Sequence, residues 1–76
     1  MTDNRELYRT KQRAHYDIGG ELCVFTVERG RVVMTWNPEC DFLHFPRGVD
    51  MDTAIDDVIW HGGPTKYVDW IHANVR

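Results

Sequence analysis

The chain has 76 residues, a net charge of −3, 42% hydrophobic residues, and three each of Trp, Tyr and Phe. A chain this short forms one domain, residues 1–76, and buries only about 60% of the surface its unfolded form exposes. The aromatic content excludes a disordered chain, the lack of any apolar run near ~20 residues excludes a membrane-spanning helix, and the mild acidity does not mark a nucleic-acid binder by itself.

The N-terminus, "MTDNRELYRT", carries charges with no apolar segment behind them, so no secretory signal is expected and the protein is placed in the cytoplasm. "DNRELYRTKQRAHYD" reads as a helix, with Asp3 or Asn4 as cap and Glu6 near the positive end of the dipole. Its apolar stripe is thin: Leu7, Tyr8 and Ala14. Arg5, Arg9 and Arg13 recur every four residues and would line one face of that helix. Gly19-Gly20 then breaks the chain.

"ELCVFTVERGRVVMTWN" holds two runs rich in Val, Phe, Thr and Trp around Arg29-Gly30, the pattern of a β-hairpin. A two-residue turn pairs Glu28 with Arg31, Val27 with Val32, Phe25 with Met34 and Cys23 with Trp36. The last three pairs share one wholly apolar face, because side chains alternate along a strand. The opposite face carries Glu28–Arg31, Thr26–Val33 and Val24–Thr35, a mixture suited to partial exposure. "NPE" ends the second strand, and "DFLHF" reads as a short third strand at an edge, stopped by Pro46.

"VDMDTAIDDVIW" is helical, since Met51, Ala54, Ile55, Val58 and Ile59 fall on one stripe and Asp50 or Asp52 can cap it. Gly62 supplies a left-handed stop, and Pro64 suits the first turn of a second helix with Tyr67, Val68, Ile71 and Val75 on its inner stripe. Gly62-Gly63-Pro64 is therefore read as a join between helices, with Trp60 and Trp70 as large apolar groups beside it. The expected fold is α+β: an N-terminal helix, a three-stranded antiparallel sheet, and two C-terminal helices packed on one face of it.

The candidates for chemistry are sparse. Cys40 and His44 are separated by three residues, but on a strand they would stand about 13 Å apart, and no second close pair completes a zinc site. The chain has no serine, no phosphate-binding loop and no nucleophile motif. No catalytic residue, metal or cofactor is expected. Cys23 and Cys40 are expected to be thiols, with Cys23 buried.

Charge is uneven. Residues 1–14 hold four bases against two acids, a net +2, whereas residues 50–57 hold four aspartates and no base. Interfaces draw their energy from Trp, Tyr and Arg, so Arg5, Arg9, Arg13, Tyr8, Trp60 and Trp70 are the candidate partner-binding residues. In size, absence of motifs and composition the chain resembles the small accessory proteins of phages and mobile elements, among them anti-CRISPR proteins and other host-takeover inhibitors. The resemblance covers the whole chain and carries over no residue. It implies a protein that binds and blocks a host macromolecule, a protein or ribonucleoprotein, without chemistry, in the host cytoplasm if phage-encoded. The alternative is a small nucleic-acid-binding regulator acting through the arginine-striped helix. A third reading is a small enzyme or metal protein around Cys40 and His44. The exposed edge of the sheet also offers a route to a homodimer.

Overall fold

In the computed structural model, residues 4–36 and 41–74 are described. They form five strands, β1 (Arg5–Arg9), β2 (Arg13–Ile18), β3 (Glu21–Glu28), β4 (Arg31–Trp36) and β5 (Asp41–His44), then two helices, α1 (Met51–Trp60) and α2 (Pro64–Asn74). The strands make one antiparallel meander in the order β1-β2-β3-β4-β5. Both helices cover the same face of the sheet, where Phe25, Met34, Trp36, Phe45, Ile55 and Val58 join one buried core.

The β3–β4 hairpin has the expected register: Glu28 opposes Arg31, Phe25 opposes Met34 and Cys23 opposes Trp36. Its turn residues Arg29 and Gly30 both take positive φ, +54° and +78°, as a two-residue turn matched to the strand twist requires. β5 is the short edge strand expected from "DFLH". Cys23 is a free, buried thiol that donates to the Tyr16 carbonyl at 3.7 Å. Burial, with smaller contributions from Glu21 and Asp17, pushes it up to about 12. Cys40 lies outside the described residues.

The expected N-terminal helix and three-stranded sheet are wrong. Residues 5–18 form a second hairpin, β1–β2, which extends the sheet to five strands. Thr10 sets its turn: its N–H donates to the Arg13 carbonyl at 2.7 Å, and its hydroxyl accepts from the N–H groups of Gln12 and Arg13. A helix here could bury only a thin stripe, whereas β2 buries Ala14 and Ile18 completely against the helices. Tertiary burial outweighs helix propensity, which spans only tenths of a kcal/mol for these residue types. The charges that read as helix formers occupy an edge strand instead. All five residues of β1 are exposed, and charge on an edge discourages further strand pairing.

Two glycine pairs meet where the layers join. Gly19 turns from β2 into β3 at φ +64°, and a Cβ placed on it would collide with the Gly62 carbonyl oxygen. A Cβ on Gly63 would stand 3.0 Å from the Ile18 carbonyl oxygen. The helix join therefore sits directly on the β2–β3 turn, at a distance no side chain could share.

Candidate functional site

An exposed large apolar residue costs free energy that burial would recover, at roughly 25 cal/mol per Å². Among the described residues, six large apolar side chains are exposed: Leu7, Tyr8, Leu22, Phe42, Trp60 and Trp70. They fall into two groups on opposite sides of the molecule.

The first group lies at the helix join. Asp50 caps α1 by accepting the Thr53 N–H at 2.8 Å. At the other end His61 is the C-cap, and Gly62 and Gly63 donate to the carbonyls of Ile59 and Val58, both at 3.0 Å. This is a Schellman closure, with Gly62 at φ +91°. Pro64 then opens α2, and the Tyr67 N–H donates back to Gly63 at 2.9 Å. The sharp join brings the ends of both helices together. His61 Nδ1 lies 2.8 Å from the Asp57 carbonyl oxygen. A carbonyl oxygen only accepts, so Nδ1 carries the proton.

That ring is the hub of an aromatic stack. His61 is 4.5 Å from Trp70, 5.2 Å from Tyr67 and 5.3 Å from Trp60, between ring centroids. Tyr67 stacks on Phe45 at 5.7 Å, and Phe45 meets Phe25 at 6.3 Å. The rings thus rise from the centre of the core to a tip, Trp60, that is 82% exposed, beside Trp70 at 46%. Trp70 is braced by His61 and Tyr67, which leaves it less side-chain entropy to lose on binding, whereas Trp60 meets only the His61 ring. Asp56 and Asp57 lie one turn before Trp60 on α1 and Asp69 adjoins Trp70 in α2, while Asp52, at the far end of α1, is paired with Arg9. Asp57 lies close enough to Tyr67 to add to the effect of burial in pushing that phenol's pKa up.

The second group lies on the sheet face that no helix covers. Tyr8, His15, Val24, Thr35 and Phe42 stand in register across all five strands. Tyr8 meets His15 edge-on at 5.3 Å, and Phe42 meets His44 in the same way at 5.3 Å. A bulge in β1 between Glu6 and Tyr8 adds Leu7 to this face, which with His15, Leu22, Val24 and Thr35 lines a shallow hollow of about 200 Å³.

The expected arginine stripe does not exist, because its helix does not. Arg5 stands opposite Asp17 and Arg13 opposite Thr26 on the open face, while Arg9 points to the helix side and bonds Asp52 at 2.6 Å. The three guanidinium groups therefore share no common surface. Trp60 and Trp70 do come together, with His61 between them. Tyr8 belongs to the other side. His44 sits on the open face, and among the described residues no three metal-binding side chains gather. The sequence did contain the open-face row. Ala14, Tyr16 and Ile18 alternate with His15 and Asp17 at strand period, and that alternation places His15 beside Val24 once the sheet is extended. No helix of the described residues is long and apolar enough to cross a membrane. Comparison with protein families, with curated proteins and with solved structures finds no match to this chain.

Proposed function

We propose that the chain is a non-enzymatic binding protein that occupies a basic surface of a host protein and blocks it, with Trp60 and Trp70 as anchors. The observation that carries this reading is the exposed Trp60 at the tip of a ring stack rooted in the core, with Asp56 and Asp57 one turn before it on α1. A lysine or arginine of the partner would meet an indole face and a carboxylate together, a combination stronger than either alone when water is excluded. Interface energy concentrates in such aromatic anchors. The dispersal of Arg5, Arg9 and Arg13 removes the basis for a nucleic-acid reading through one arginine face. The free Cys23 thiol supports action in the reducing cytoplasm.

Pull-down from a bacterial lysate with the wild type, with Trp60→Ala/Trp70→Ala and with Arg5→Ala tests the reading. A basic protein should be retained by the wild type and by Arg5→Ala, and lost with the double variant and in high salt. Equal retention by all three proteins would contradict it.

A further inference from the structure

We propose that the uncovered face of the sheet is the contact between two copies of this chain, packed sheet on sheet about a two-fold axis that runs across the strands. An antiparallel sheet with one face in water normally alternates apolar inward and polar outward. Here the outward positions include the exposed Leu22 and Phe42 and the half-buried Val24, with Tyr8 and the bulged Leu7 at the margin, while Val33 is already covered by its neighbours. The helices pack on the other face and leave Leu7, Tyr8, Leu22 and Phe42 exposed.

The charges on this face say what covers it. Three rows cross it, bounded at the hairpin end by a fourth, the charged pair Glu28–Arg31. The middle row is Tyr8, His15, Val24, Thr35 and Phe42, which carries no carboxylate, lysine or arginine. On one side lies the row Arg13, Thr26, Val33 and His44. On the other lie Arg5, Asp17 and Leu22. A two-fold axis along the middle row sets each middle residue against its own copy and each flanking row against the opposite one. Arg13 then stands over the partner's Asp17 on the same strand, twice per dimer. Asp17 is half-buried, and its covered Oδ1 has no hydrogen-bond partner in the single chain. Leu22 lies over the partner's Thr26 and Val33. The face is thus complementary to itself, as an isologous contact requires.

Size and edges agree with this. Five strands about 4.8 Å apart, over rows spanning about 17 Å along the strands, give roughly 400 Å² of face per copy. With side-chain relief, two such faces bury roughly 1,000 Å², the lower bound for a specific interface. Pairing along the β1 edge is discouraged by Arg5, Glu6 and Arg9. The dimer would hold Trp60 and Trp70 of both copies on its two outer sides, so this inference stands or falls independently of the host partner.

Sedimentation equilibrium of the full chain, from about 5 µM to about 500 µM, brackets the micromolar affinity that so small an interface supports. A monomer–dimer equilibrium is expected. Val24→Glu and Phe42→Glu should each leave the chain monomeric throughout, with folding checked by near-ultraviolet circular dichroism. Phe42 is mostly exposed, so that variant decides the matter if Val24→Glu fails to fold. Arg13→Asp and Asp17→Arg should each weaken the dimer at least tenfold, and the two together should restore it to within about threefold, as a paired charge exchange does. A wild type that is monomeric at the highest concentration overturns the proposal. So does a dimer indifferent to Phe42→Glu, or a charge exchange no better than its single variants. A monomer whose Tyr8 and Phe42 respond to a single-stranded oligonucleotide overturns it in favour of a stacking platform.

Discussion

The helix join and the open sheet face both leave large apolar side chains in water, yet they are built differently. At the join, two tryptophans stand at the end of a ring stack that passes through His61, Tyr67 and Phe45 to Phe25 in the core. The group is narrow, projecting and framed by acids. On the sheet, apolar groups are spread across five strands and flanked by rows of mixed charge. A projecting anchor with charge of one sign suits a foreign partner of the opposite sign. A flat face whose charges complement their own two-fold image suits a second copy. What distinguishes the two surfaces is how each is braced and what charge surrounds it, since exposure is similar in both.

The largest effect should come from removing the core on which both surfaces stand. Phe25 is fully buried in the core between sheet and helices, meeting Tyr16 at 6.3 Å and Phe45 at 6.3 Å. Phe25→Ala should cost about 3–5 kcal/mol, comparable with the whole stability of so small a domain. Thermal melting should show most of the cooperative transition lost, and both binding and dimerisation lost with it. Trp60→Ala/Trp70→Ala should separate the two surfaces. This pair should cost at least ~2 kcal/mol of partner binding, about thirtyfold, while the dimer constant stays unchanged. Calorimetric titration of the captured partner and sedimentation of the variant provide the two readouts.

Smaller effects test the frame around the join. The Arg9–Asp52 pair ties β1 to α1 at 2.6 Å but lies at the surface. Arg9→Ala should therefore cost no more than about 1 kcal/mol by denaturant titration. Asp50 is a pH probe of the α1 cap. Its bond from the Thr53 N–H holds its pKa below the ordinary aspartate value. A depressed folded value means that the stabilisation is present above the unfolded pKa and is lost as pH falls through the folded one. Asp50→Asn keeps an acceptor and removes the titration. Below about pH 4 the melting temperature should thus fall more steeply in the wild type than in the variant.

How far each surface was legible in the sequence follows from the range of the forces involved. The β3–β4 register was readable because turn length and side-chain alternation agree locally at Val27–Val32, Phe25–Met34 and Cys23–Trp36. The α1 stripe, the Asp50 cap and the glycine stop at Gly62 are local too, and so the juxtaposition of Trp60 and Trp70 could be expected. Residues 5–18 misled because their composition favours a helix while their fate is decided by burial of Ala14 and Ile18 against helices some forty residues away. The strand period in Ala14, Tyr16 and Ile18 was the signal, outweighed by the four-residue spacing of Arg5, Arg9 and Arg13. With the helix went the arginine stripe. Of the open face only the β3–β4 part was read, and its full extent follows from placing β1 and β2 beside the hairpin, since its middle row draws one residue from each of five strands.

The division of labour between the two surfaces is tested most directly by an amide and indole NMR dilution series of the wild-type chain. Diluting the sample should shift the amides of Val24, Thr26, Val33 and Thr35 as the dimer dissociates, and leave the indole N–H signals of Trp60 and Trp70 in place. Indole signals that move with dilution, while the sheet amides stay fixed, would contradict the account by making the tryptophan face the self-contact.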